Sequence, residues 1–232
     1  HSPFFQEALD NGWLTGLADL DMPAEAQVVP DDFIENDGAI PVVSLVPTEA
    51  VINSDNVTEP LQAWTDYASP EFNGRLMLAE PDSSPANAAF WSLMRDEFGD
   101  EFLEGIAANA PRWGAGAVPI TQAVAAGEAD LGHPGVAAIV TNLQSQGAPV
   151  ELVSLSPTTG PEAAVGVSAS SPNQAGGKLM ALYLMSEEGN RLLNDETTAI
   201  SPYDPAGLDR FTRVKDVANV DMEGIKALLG QG

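Results

Sequence analysis

The chain has 232 residues, 44% of them hydrophobic, and its nine lysines and arginines face 34 aspartates and glutamates for a formal charge of −25. Nucleic acid and anionic membrane are excluded as partners, because neutralising phosphate takes clustered Lys and Arg and only Lys178, Lys215 and Lys226 are lysines. The absence of cysteine removes disulfides, thiolate metal sites and cysteine nucleophiles, and no apolar run reaches the roughly 18 to 20 residues that cross a bilayer.

Hydrophobic periodicity predicts the elements in order. Residues before about 60 are rich in Pro, Asp and Gly, with a helical stretch over 4–12 and an extended one over 40–52. A strand is predicted over 75–79. The clearest helix covers 85–98, where Ala86, Ala89, Phe90, Leu93, Met94 and Phe98 share one face. Ser84 suits its N-cap, Pro85 its first position and Gly99 its end. Phe102, Leu103, Ile106 and Ala107 continue as a second short helix. A third runs over 119–126 and is closed by Gly127; a strand over 129–132 follows. The fourth helix, 134–145, turns Val136, Ile139, Val140 and Leu143 inward and stops at Gly147. Strands over 150–155 and 163–168 precede helices over 173–185 and 187–193, with Glu187 and Glu188 as first-turn charges of the last. From Leu131 to Gly177 only Glu151 and Glu162 are charged, which suits buried strands and loops lining a cleft. Strand and helix in alternation predict an α/β protein with mainly parallel sheets flanked by helices.

Residues able to carry chemistry are few. Ser84-Pro85, Val118-Pro119, His133-Pro134 and Ser171-Pro172 mark helix starts, whose unpaired N–H groups and partial positive charge bind an anion without any lysine. Asp82-Ser83-Ser84 is the best of these candidates, because it follows a strand end, where open α/β sheets collect ligands. Its alternative is structural, with Ser84 a plain N-cap and Ser83 a turn residue. The loop from Gly114 to Ala117 could bring backbone close to a ligand, yet lacks the third glycine of a dinucleotide fingerprint. Glu80, Asp82 and His133 contain oxygen and nitrogen donors, but no spacing makes them a metal site. Walker A, His-Glu-x-x-His and Gly-x-Ser-x-Gly sequences are missing, and two histidines leave a triad little material. No cofactor and no catalysis are expected.

One set of segments goes further. Gly127-Glu128-Ala129-Asp130-Leu131-Gly132 and Gly147-Ala148-Pro149-Val150-Glu151-Leu152-Val153 stand around the fourth helix. Val51-Ile52-Asn53-Ser54-Asp55 lies upstream of them and Leu184-Met185-Ser186-Glu187-Glu188-Gly189 downstream. In this order they resemble the extracellular solute-binding proteins of ABC importers, in the type II periplasmic-binding-protein branch that takes iron, phosphonate, thiamine or polyamine. The resemblance implies two α/β lobes with a ligand cleft between them: a first lobe of residues 1–53 and 156–232 and a second of 54–155, crossing near 51–55 and 155–160. It implies a ligand contact at His133, which joins Asp82, Ser83, Ser84, Gly114 and Thr158 as the candidate contacts, a small solute, anionic ones included, and delivery to a membrane permease by a periplasmic or extracellular monomer.

Ferric-iron binders of this kind carry adjacent tyrosines after the strand, where this chain has His133-Pro134-Gly135, and Tyr67, Tyr183 and Tyr203 are scattered, which counts against iron. Family members also begin with a strand, helix and strand before the segment that His1-Ser2-Pro3-Phe4-Phe5 resembles. An N-terminally truncated chain is therefore expected, its signal peptide or lipid anchor and part of its first lobe missing; a natural minimal variant is the alternative. An enzyme with Glu80 or Asp82 as acid or base, or a ligand sensor, could use the same scaffold.

Overall fold

Strands and helices alternate along the chain in a computed structural model that describes residues 3–16, 30–35, 40–195, 197, 199–214 and 216–231. In chain order the elements are α1 (Pro3–Asp10), β1 (Leu14–Thr15), β2 (Ile34–Glu35), β3 (Ile40–Leu45), β4 (Glu49–Asn53), β5 (Leu76–Ala79), α2 (Pro85–Phe98), α3 (Asp100–Ala108), β6 (Arg112–Gly114) and α4 (Ala117–Ala125). Then come β7 (Leu131–Gly135), α5 (Ala137–Ser145), β8 (Val150–Val153), β9 (Glu162–Ala164), β10 (Val167–Ser168), α6 (Gln174–Met185), α7 (Glu187–Asp195), α8 (Pro205–Arg210) and α9 (Met222–Leu228). His1 and Ser2, where the family segment was expected to start, lie outside the described residues.

The chain divides into two compact units, one of His1–Val46 and Pro161–Asp209, the other of Pro47–Gly160 and Arg210–Gly232. These boundaries differ from those expected at 53/54 and 155/156. β4 stays with the second unit because it is hydrogen-bonded on both sides there, to β7 and to β8. The C-terminal segment, expected in the first lobe, belongs to the second unit because Ile225 and Leu229 are buried in its core.

The second unit is built on a five-stranded sheet in the order β6-β5-β7-β4-β8. β5 pairs in parallel with β6 and β7, whereas β4 runs antiparallel to both its neighbours. The sheet is thus mixed. α5 carries the chain from β7 to β8 in the same direction, and β4 fills the gap between them from the opposite one. Side chains alternate across it as a strand requires. On one face Leu76, Leu78, Leu131, Ala50 and Ile52 meet Trp64, Phe90, Trp91, Met94, Leu103 and Ile106. On the other, Val51, Ala79 and Val150 meet Ile120, Val124 and Val140 of α4 and α5. Gly132 lets α4 approach closely: a Cβ there would stand 2.7 Å from Ile120 Cγ2 and 2.9 Å from Val51 Cγ1.

In the first unit β3 lies between β2 and β9, antiparallel to both, and β1 pairs antiparallel with β10. Helix α7 is fixed to β3 by amides, since Nδ2 of Asn190 and of Asn194 donate to the Val43 carbonyl at 2.8 and 3.0 Å.

Three predicted elements change. The stretch 40–52 is two strands, β3 and β4, because the chain passes from one unit to the other at 46/47. The helix predicted from Pro134 begins at Ala137, because His133, Pro134 and Gly135 complete β7 and Gly135 pairs with Glu49. The strand over 163–168 is β9 and β10, which pair with different partners.

Candidate functional site

Parallel pairing of β5, β6 and β7 brings their carboxyl ends, Ala79, Gly114 and Gly135, to one edge of the sheet. Each is followed within a few residues by a helix, α2, α4 and α5 in turn, so three helix N-termini begin along this edge. That is where an open α/β sheet presents backbone N–H groups and a positive dipole end to a ligand. At α2 Ser84 supplies the cap by accepting from Asn87 N at 3.2 Å. α4 and α5 start at Gly116 and Val136 without any side-chain cap. Within these first turns Ile139 N donates to Val136 O at 3.0 Å and Pro119 has no N–H, which leaves the opening amides without a capping side chain.

Four of the six expected ligand residues come to this edge. Ser83 is exposed and acts as a turn residue, its Oγ donating to Glu80 O at 2.6 Å and accepting from Asn87 Nδ2 at 2.8 Å. Gly114 ends β6, with Ile120 and Met77 3.2 Å from where a Cβ would be. Asp82 is tied to Lys226 Nζ of α9 at 2.7 Å, and that hydrogen bond holds its carboxyl below the usual range.

His133 and Thr158 are placed otherwise. His133 stands opposite Leu78 and faces the aromatic core, 2% exposed. Its ring stacks on Phe90 with centroids 3.6 Å apart and meets the edge of Trp64 at 5.2 Å. Its Nε2 is 3.1 Å from Thr48 Oγ1, whose single proton goes to Thr159 O at 2.7 Å. Nε2 must therefore carry the proton and donate, leaving Nδ1 bare. Burial pushes the imidazole down to about 3, so it is neutral. Thr158 is fully buried and donates to Thr48 O at 2.6 Å. The expected ligand contacts of both residues give way to structural hydrogen bonds. Thr48, Thr158 and Thr159 bind the segment before β4 to the segment after β8, and Thr158 also pairs with Phe211 through Thr158 N to Arg210 O at 2.8 Å and Thr212 N to Thr158 O at 2.7 Å.

A different pair stands at the edge and escaped the sequence. Glu49 heads β4 opposite Gly135, the last residue of β7. Its side chain is 7% exposed, with Oε1 2.8 Å from Arg210 Nη1 and within reach of Ser154 Oγ at 3.3 Å. The two side chains meet as an ion pair, and both Arg210 Nη1 and Glu49 Oε2 are buried without a hydrogen-bond partner of good geometry among the described residues. Burial raises the Glu49 carboxyl, against the opposing charge of Arg210. The only sequence signal was a lone acid at the head of the apolar run Ala50-Val51-Ile52; nothing local pointed to Arg210.

Residues 17–196 match the family model of bacterial extracellular solute-binding proteins. The substrate-binding protein of an ABC transporter from Agrobacterium tumefaciens is similar over 96% of this chain and 74% of its own, with a TM-score of 0.68 at 14% identity. Iron-bound HitA from Pseudomonas aeruginosa is similar over 99% and 79%, with a TM-score of 0.65 at 17% identity. AfuA from Actinobacillus pleuropneumoniae, with exogenous fructose-6-phosphate bound, is similar over 97% and 74%, with a TM-score of 0.59 at 16% identity. At such identities the likeness is one of fold. No curated protein sequence matches the chain.

Proposed function

Because this chain belongs to the bacterial extracellular solute-binding protein family, we propose that it is the solute-binding component of an ABC importer, working as a monomer outside the cytoplasmic membrane and handing a small solute to a membrane permease. The family match over residues 17–196 carries the reading. It is supported by the edge where β5, β6 and β7 end and where α4 and α5 begin without side-chain caps. Asp82, Ser83, Ser84 and Gly114 stand along that edge as candidate contacts, Ser83 and Ser84 through the start of α2. No helix among the described residues is long and apolar enough to cross a membrane.

HitA is iron-bound in its structure, but the phenols here are differently employed. Tyr67 donates to Gly132 O at 2.9 Å and Tyr203 to Met185 O at 2.5 Å, which leaves Tyr183 as the exposed one. A small organic solute fits these residues better than a tyrosine-bound metal.

The reading requires binding without turnover. A solute at a hundred times its dissociation constant adds about 2.7 kcal/mol of stability by mass action, which thermal denaturation detects. The purified chain should be screened in this way against sugars, sugar phosphates, carboxylates, amino acids and polyamines, and the solute in each hit recovered and weighed by mass spectrometry. At least one compound is expected to raise the melting temperature and to return unaltered. A screen without a hit, or a hit that comes back chemically changed, overturns the proposal.

A further inference from the structure

We propose that Arg210 receives an anionic group of the solute, a carboxylate or a phosphate, and that Glu49 is the positioning residue that holds its guanidinium at the carboxyl edge of the five-stranded sheet. This rests on the solute-binding reading and names the chemical class of the solute.

The pair is poorly explained as a device for stability. A buried ion pair returns its desolvation cost only with good geometry and with its remaining lone pairs and protons satisfied. Asp130, also buried, comes closer to that condition: one oxygen accepts from Asn56 Nδ2 at 2.9 Å and the other is ion-paired with Arg75. Glu49 does not. Its Oε2 and the Nη1 of Arg210 account for two of the three buried side-chain atoms without a hydrogen-bond partner among the described residues. A buried polar atom without a well-formed hydrogen bond is costly, and an apolar pair would avoid the cost.

Position argues in the same direction. Glu49 is in register with Gly135, two residues before α5 begins without a side-chain cap. Arg210 is 28% exposed, and Glu49 is its one side-chain partner among the described residues. Its remaining N–H groups form a planar fork that suits carboxylate or phosphate oxygens. Four of the other eight cations are spent in more exposed pairs: Arg95 with Asp100 and Asp221, Arg112 with Glu128, Arg191 with Glu187 and Lys226 with Asp82. In a chain of formal charge −25 an anionic solute needs a fixed positive partner, and Arg210 provides one where the parallel strands end.

The test uses the full chain and calorimetric titration with inorganic phosphate and fructose 6-phosphate as phosphate probes, citrate and glutamate as carboxylate probes, and glucose and spermidine as neutral and cationic ones. At least one anionic probe should bind; which of the two sets does so identifies the group. Arg210→Gln should weaken that binding by at least a hundredfold. Arg210→Lys, which keeps the charge and loses the fork, should weaken it less, and Arg191→Gln should leave it unchanged. Where Arg210→Gln fails to fold, the double variant Glu49→Met with Arg210→Met removes both buried charges and should fold without binding the anion. Anion affinity within threefold of wild type in Arg210→Gln or in the double variant overturns the proposal. Binding of glucose or spermidine alone overturns it while leaving the solute-binding reading intact. Binding of no probe, together with an empty solute screen, removes both.

Discussion

His133 stands where a ligand contact was expected and instead serves the core, because a residue opposite Leu78 on this face meets Phe90 and Trp64 rather than the edge. Its depressed pKa makes it an acid-sensitive point. The unfolded imidazole takes up a proton below about pH 6.5, whereas the folded one does so only near about 3. Its contribution to stability is therefore complete above about pH 6.5 and is lost as pH falls toward 3, by about 1.4 kcal/mol per pH unit. Urea denaturation of wild type and His133→Gln between about pH 4 and 7 should give a shallower loss in the variant; parallel curves would refute the assignment. Ser84 is a simpler case. As the N-cap of α2 its hydroxyl serves Asn87 N, so Ser84→Ala should lower stability by about 1 kcal/mol, measured by denaturant titration without any solute.

Among the elements, α2 was the most legible. Its apolar face, capping serine, first-turn proline and terminal glycine all lie within a few neighbouring residues, and it forms as expected over Pro85–Phe98. Helix α5 was less so, because the choice between strand and helix at Pro134 is made by β4, far away in sequence, through the pairing of Gly135 with Glu49. Close packing between elements gives a direct prediction at Gly132. A methyl group there would press on Ile120, Val51 and Val124 within 2.7 to 3.0 Å. Gly132→Ala should therefore cost about 1–3 kcal/mol as overpacking, measured as a lower thermal midpoint. An unchanged midpoint would show that α4 can move off the sheet at no cost.

At the scale of the whole molecule charge sets the response to solvent. Nine cations cannot neutralise 34 carboxylates, so the excess repels itself across the surface. Screening shortens the Debye length from about 10 Å at 0.1 M salt to about 3 Å at 1 M. The melting temperature should accordingly rise between those two sodium chloride concentrations. A flat or falling curve would mean that the ion pairs, which salt weakens, outweigh the repulsion.

From the sequence alone came what depends on neighbouring residues: the alternation of strands and helices, the caps of α2, the charge, and the ordered segments from Val51 to Gly189 that already resembled solute-binding proteins. Spacing also led to Asp82, Ser83 and Ser84 after a strand end, since a loop that follows a parallel strand lies at the carboxyl edge whatever the rest of the fold does. Tertiary structure alone decided which way His133 and Thr158 face, which unit receives the C-terminal helix through Ile225 and Leu229, and that Glu49 meets Arg210. Those outcomes depend on residues far apart in the chain sharing one buried space, where burial and unmet hydrogen bonds, rather than local propensity, set the energy.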